Sequence, residues 1–192
     1  MARGATSTKT RILQMARNLY SAHGCEGTTL EDILTAAGIT KGAFYHYFKS
    51  KESLCETIIE QVTADYRQLA MSLDADAEPI DQLREMIAKL ARLNASGEWV
   101  NCRLILRLSV DSYESQPQVQ QRLHDFWEWE TGFYEQLVER CREAGQLNRR
   151  LSAKTQTRLI TAVMAGMITL ERIAPSQESF DKIVETVIDM LQ

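Results

Sequence analysis

Thr28-Thr29-Leu30-Glu31-Asp32-Ile33-Leu34-Thr35-Ala36-Ala37-Gly38-Ile39-Thr40-Lys41-Gly42-Ala43-Phe44-Tyr45-His46-Tyr47-Phe48-Lys49-Ser50-Lys51 is the stretch that decides how this chain folds. Two short segments with helical apolar spacing meet at Gly38-Ile39, the pattern of a helix-turn-helix. Thr28 and Glu31 have the spacing of a capping box, which predicts a helix from Thr28 or Thr29 to Ala37. Thr40 can cap the next helix, over about Lys41–Tyr47. Phe44 and Phe48 stand one turn apart and turn inward with Ile33 and Ile39. Lys41, Gly42, Tyr45 and His46 are left on the outer face. Such a helix is about 10 Å long at about 1.5 Å per residue, and the major groove of DNA is about 12 Å wide. Gly42 and Ala43 are small enough for close approach, and the first-turn N–H groups can meet phosphate. Thr29 and Lys51, at the starts of the flanking helices, are placed to clamp the DNA backbone. A hairpin buried in an ordinary bundle would share the periodicity. It would not explain Tyr45-His46-Tyr47 beside two lysines, although core packing competes for Tyr47.

Outward from this core, helical spacing continues. Ile12, Leu13, Ala16, Leu19 and Tyr20 share one face of a helix from Thr8 to His23, stopped by Gly24. Ser50 caps a longer helix to about Leu73. After the polar Asp74–Pro79 link, helices are expected near Ile80–Ala95, Asn101–Tyr113, Pro117–Ala144, Ala153–Ala174 and Glu178–Leu191. The three prolines, Pro79, Pro117 and Pro175, all fall where these patterns break. The expectation is an all-α protein of about nine helices. Residues 1–50 form a three-helix DNA-binding domain and residues 51–192 a larger helical ligand-binding and dimerisation domain. The Ser50–Leu73 helix links the two.

The bulk numbers narrow the function. Net charge is −4 over 192 residues, but residues 1–60 carry +1 and the remainder −5, so the relatively basic end is the helix-turn-helix end. No apolar run is long enough to span a membrane and the N-terminus lacks a signal-peptide core, which predicts a cytoplasmic protein. Cys25, Cys55, Cys102 and Cys141 form no C-x-x-C pair, and His23, His46 and His124 lack chelating spacing, so no metal or other cofactor is expected. Neither a Ser/His/Asp arrangement nor a phosphate-cradling glycine loop is present, so an enzyme is not expected. The competing class is a helical adaptor or ligand-binding protein with no DNA role.

The string from Gly38 to Leu54 resembles the signature of the tetracycline-repressor (TetR) family, and the resemblance covers about residues 8–58. It implies a transcription regulator, in the usual case a repressor that leaves a palindromic operator when a small molecule binds. By that resemblance Thr40, Lys41, Gly42 and Ala43 lie at base edges or adjacent phosphates. Tyr45, His46 and Tyr47 contact bases or backbone, and Thr29 and Lys51 hold phosphates. The Thr8–Lys9 helix start touches the backbone more loosely.

A single short reading helix gives weak specificity, which favours a homodimer on two half-sites. The last two helices carry excess apolar surface: Leu159, Val163 and Ile168 on one, and Phe180, Ile183, Val184, Val187 and Ile188 on the other. The resemblance makes them a four-helix dimer interface, while a purely intrachain core is the alternative. It also puts an inducer pocket mid-chain, with Trp99, Cys102, Tyr113, Phe126, Trp127, Trp129, Phe133, Tyr134, Met164 and Met167 as candidate linings. Each of these, taken singly, equally suits a core. Arg103 and Arg107 could hold an anionic ligand, or Arg107 could pair with Asp111 one turn on. Cys102 sits in a segment similar to that of electrophile-sensing members, with Asn101 and Arg103 departing from their pattern. An inert buried thiol is the competing reading.

Overall fold

The computed structural model describes residues 7–96, 99–111, 116–173 and 180–192. Among them the chain forms nine α-helices and no strand: α1 (Thr8–His23), α2 (Leu30–Ala37), α3 (Lys41–Tyr47), α4 (Lys51–Met71), α5 (Pro79–Ser96), α6 (Asn101–Val110), α7 (Pro117–Glu143), α8 (Ala153–Ile173) and α9 (Phe180–Leu191). The expected boundaries hold within three residues because the chain marks its own helix ends, apart from those expected at Tyr113, Ala174 and Glu178, which lie outside the described residues. Ser7 caps α1 through the Thr10 N–H at 3.2 Å. Ser50 and Ser53 cap α4 reciprocally, each hydroxyl taking the other's backbone N–H at 3.1 Å. Pro79 and Pro117 open α5 and α7, where a missing N–H costs nothing.

One cap sits a residue further on than its spacing suggested. The capping box of α2 joins Thr29 to Asp32, whose carboxylate accepts the Thr29 N–H at 2.8 Å. Thr28 is buried, and its hydroxyl donates to the Gly24 carbonyl at 2.8 Å. It therefore closes the preceding turn and cannot cap. Gly38 ends α2 in the left-handed region at φ 59°, where a side chain would be strained. That single residue turns the chain from α2 into α3.

The chain divides into two compact units. Unit 1 holds residues 1–63 together with 103–124; unit 2 holds 64–102 together with 125–192. The helices α4, α6 and α7 therefore contribute to both, unlike the division at residue 50 expected from the sequence. Unit 1 is built on Ile12, Ala16, Tyr20, Ile33, Phe44, Leu54 and Ile58, all fully buried. Each isoleucine, leucine and phenylalanine among them stabilises by about 1.5–3 kcal/mol. In unit 2, α5 packs on α9, and Leu83, Met86, Phe126, Tyr134, Val138 and Ile188 are buried. Arg142 ties down the α7–α8 connection by donating to the carbonyls of Asn148 and Leu151 and to the Gln156 side chain.

Candidate nucleic-acid interface

In unit 1, α3 is anchored from within and open on its other side. Phe44 is fully buried, and its ring lies 5.7 Å from that of Phe48. Lys41, Gly42, Tyr45, His46 and Tyr47 are exposed, Tyr45 by 49% and Tyr47 by 39%, while Ala43 is half-buried. Tyr47 thus lies on the surface, against its core-packing alternative. A Cβ built on Gly42 would meet nothing within 4 Å, so this part of the helix faces open space. Thr40 caps the helix by accepting the Ala43 N–H at 3.3 Å. Exposed Thr29 donates to Asp32 at 2.6 Å, and that bond, with the backbone one, holds the Asp32 carboxyl below the usual range. The Lys9 ammonium lies 6.0 Å from the centre of the Phe48 ring. Exposed cations at Lys9, Arg11, Lys41 and Lys49 thus accompany an apolar-backed helix with an aromatic outer surface.

Lys51 has partners inside the chain. It was expected to reach a phosphate, but its Nζ donates to the carbonyls of Cys25 at 2.7 Å and Thr28 at 2.9 Å. The turn between α1 and α2 leaves those carbonyls without helical partners, and a half-buried ammonium with three donors satisfies both. Its charge also lowers the buried Cys25 thiol, after the larger effect of a hydrogen bond from Cys55. Lys51 is an internal strut of the head.

The same turn is held from a second side by the far end of α6. Asp111 accepts the Cys25 N–H at 2.9 Å. Arg107 donates to the His23 carbonyl at 3.3 Å and lies 3.8 Å from Asp111. The Arg107–Asp111 pair is thus present, and it braces the end of α1. Gly24, at φ 77°, is required here: a Cβ would overlap the Asp111 carboxylate. Arg122 adds an ion pair to Glu60 at 2.8 Å. Arg103 is half-buried.

Those aromatics converge in unit 2. Tyr66, which sequence reading passed over, is their hub: its ring lies 5.5 Å from Trp99 and 5.2 Å from Phe126. Its hydroxyl donates to the Cys102 thiol at 3.2 Å. Phe126 contacts Trp127 and Trp129, and Trp129 stacks on Phe133 at 6.0 Å. Met164 and Met167 are buried on α8. Tyr113 lies outside the described residues. A groove of about 310 Å³ opens beside Phe133, Leu137, Arg140, Leu73 and Ala70. Glu130 was also missed. It is 7% exposed, and burial pushes its carboxyl up to about 7. Its signal was spacing: Phe126, Glu130 and Tyr134 recur every fourth residue, putting an acid between two aromatics on one helical face.

The expected pairing residues separate by burial. Leu159 is 43% exposed, Val163, Ile183 and Val187 are half-buried, and Leu170 is 60% exposed. Ile168 and Ile188 are buried inside the chain, Ile188 completely. Ile188 therefore serves its own core and cannot supply interface area. The side chains of Phe180 and Val184 lie outside the described residues.

Comparison with known proteins agrees with this geometry. The family model described as "Bacterial regulatory proteins, tetR family" matches residues 12–58. The HTH-type transcriptional regulator AcrR of Shigella flexneri is 29% identical, over 92% of this chain and 83% of its own length. The HTH-type transcriptional repressor DhaR of Mycobacterium sp. strain GP1 is 26% identical, over 97% and 93%. Among solved structures, a TetR-family transcriptional regulator from Agrobacterium tumefaciens superposes with a TM-score of 0.83 at 20% identity, covering 96% of this chain and 97% of that one. At that identity the likeness shows the fold alone.

Proposed function

We propose that this chain, which belongs to the tetR family of bacterial regulatory proteins and is a DNA-binding transcriptional regulator, acts as a homodimeric repressor released from a palindromic operator by a small molecule held in unit 2. The observation that carries the reading is the open face of α3, with Phe44 sealed beneath it and Tyr45 and Gly42 facing solvent. A rigid inner side with a small-residue outer side is what a helix needs to seat in a major groove without rearranging. Thr40, Lys41, Gly42 and Ala43 meet base edges or adjacent phosphates. Tyr45, His46 and Tyr47 meet bases or backbone, and Thr29 holds a phosphate. Lys51 is left out of this set.

Pairing brings two reading helices about 34 Å apart, one turn of DNA. Leu159, Val163, Ile183 and Val187 are the side chains on α8 and α9 that retain surface for it. Occupation of unit 2 is felt in unit 1 through α4, α6 and α7, which run through both. The α6 end is the strongest candidate, because Arg107 and Asp111 grip the turn that positions α2 and α3. The repressor reading accords with the name of the DhaR relative.

The test is binding measured against salt on palindromic and random duplexes. Tyr45→Ala is expected to weaken operator binding by about 1–3 kcal/mol, with a much smaller loss on random DNA. Equal losses on both would remove Tyr45 from base reading. A wild-type protein showing no preference for any palindrome over random sequence would remove the operator-binding reading.

A further inference from the structure

We infer that unit 2 binds its small molecule around Glu130 and that this molecule is an organic cation, an amine or ammonium carried on an apolar body. The inference rests on the reading of unit 2 as the inducer domain and names the chemistry of that site. Glu130 is 7% exposed. Its Oε2 is sealed from solvent and has no hydrogen-bond partner among the described residues. A carboxyl in that condition is costly to keep, and buried acids are ordinarily paired. No lysine or arginine among the described residues forms an ion pair with it. Arg67, the cation nearest these rings, lies over Trp129 at 5.5 Å.

The surroundings say which partner fits. Phe126 and Tyr134 flank Glu130 one turn away on the same face of α7, and Tyr66 and Trp99 continue the aromatic wall at ring distances of 5.2 and 5.5 Å. Aromatic faces attract cations, most strongly where water is excluded. An anion would meet the repulsion of Glu130. A neutral apolar ligand would leave its oxygen unanswered. Trp99 Nε1 and the Tyr134 hydroxyl are also sealed and without partners among the described residues, so a polar substituent on the same ligand would meet unanswered hydrogen-bonding groups.

The chemistry includes a proton. Burial lifts Glu130 to about 7, so a bound cation favours its ionised form and displaces the proton to solvent. The titratable groups in electrostatic reach are Tyr66 on α4 and Tyr134 on α7, each of which also interacts with Cys102 on α6. Burial raises both phenols far above neutrality, so neither changes charge between pH 6 and pH 8. Affinity for a permanently charged cation is therefore expected to rise about tenfold over that interval.

The experiment compares benzyltrimethylammonium with its uncharged carbon analogue, neopentylbenzene, on the full-length protein by tryptophan fluorescence at pH 6 and pH 8. Saturable binding of the ammonium is expected, about tenfold tighter at pH 8. Glu130→Gln should abolish that pH step, which separates Glu130 from the Cys102 thiol. Neopentylbenzene should show no step in either protein. Calorimetry at pH 7 in buffers of different ionisation enthalpy needs no variant and should record release of about half a proton per ammonium bound. No saturable ammonium binding, equal affinity at both pH values, a step that survives in Glu130→Gln, or no proton release would each overturn the inference. If neopentylbenzene binds and releases operator DNA while the ammonium does not, the inducer reading stands and this one falls. If the ammonium binds with the step but leaves operator affinity unchanged, the Glu130 site stands and the inducer reading falls.

Discussion

The turn that positions the reading helix and the interior of unit 2 treat their buried polar atoms in opposite ways. Around Cys25 the polar groups of the turn are answered: the Thr28 hydroxyl meets Gly24, Lys51 meets two carbonyls, and Asp111 meets the Cys25 N–H. Around Glu130 one carboxyl oxygen, a phenol and an indole N–H have no partner among the described residues. The first arrangement fixes a geometry in advance of binding, as a surface that must seat on a rigid duplex requires. The second keeps unmet demand inside the chain, as a surface that must respond to a diffusing molecule requires.

The largest effect should come from removing what fixes the first region. Phe44→Ala empties the core directly beneath the reading face. It should destabilise the protein by about 3–5 kcal/mol, read as a lower urea midpoint, and abolish operator binding. A head that tolerates this change with its DNA affinity intact would break the contrast, since α3 would then not be held from within.

Glu130→Gln tests the second region through stability alone. The folded carboxyl sits at about 7 against an ordinary 4.5, so folding favours its protonated form. The associated stability is complete below pH 4.5 and is lost as pH rises through about 7. The amide cannot ionise and escapes that loss. At pH 8 the variant should be more stable than the wild type by roughly 3 kcal/mol, and near pH 4.5 equal to it. Urea titrations at the two pH values decide this, and a variant less stable at pH 8 would show that the carboxylate has an internal partner after all.

Lys51→Met sharpens the boundary between strut and DNA contact. Two carbonyls lose the ammonium, the Cys25 one keeping only the Thr28 N–H at 3.4 Å, at about 1–3 kcal/mol of stability. Because Lys51 is not assigned to phosphate, the slope of log affinity against log salt should stay unchanged. Lys41→Ala should do the reverse, sparing stability and flattening the slope by about one unit. A flattened slope for Lys51→Met would return that residue to the interface.

This pair also shows where the sequence was legible. Helix ends were readable because Thr40, Ser50, Pro79 and Pro117 act within one turn of themselves. The exposed face of α3 was readable because Phe44 and Phe48 fix its inner side by spacing. The internal bonds of Lys51 were not readable because its partners, Cys25 and Thr28, lie more than 20 residues away. Only packing of α4 against the α1–α2 turn turns its ammonium inward. The joining of residues 103–124 to the head, through Asp111 and Arg107, is long-range in the same way. Tyr66 and Glu130 were missed because an aromatic or an acid in an amphipathic helix gives no sign of its burial until the neighbouring helices close over it. Ile188 fits the apolar stripe of α9 as well as any interface residue, and only the packing of α9 on α5 and α8 shows that it is buried.

The smallest effect belongs to Thr40, which lies on both sides of the comparison within the head. Its hydroxyl satisfies the Ala43 N–H, and the residue is exposed at the first turn of α3. A seven-residue helix is too short to persist alone and depends on its cap and its inner anchor. Thr40→Ala should lower stability by about 1 kcal/mol and weaken operator binding by about fivefold if that loss is all that matters. Thr40→Ser retains the capping oxygen without the methyl group. Restored melting temperature together with restored operator affinity would assign Thr40 to preorganisation alone. Restored melting temperature with affinity still low would place the methyl group against DNA, leaving one residue that both fixes the reading helix and takes part in reading.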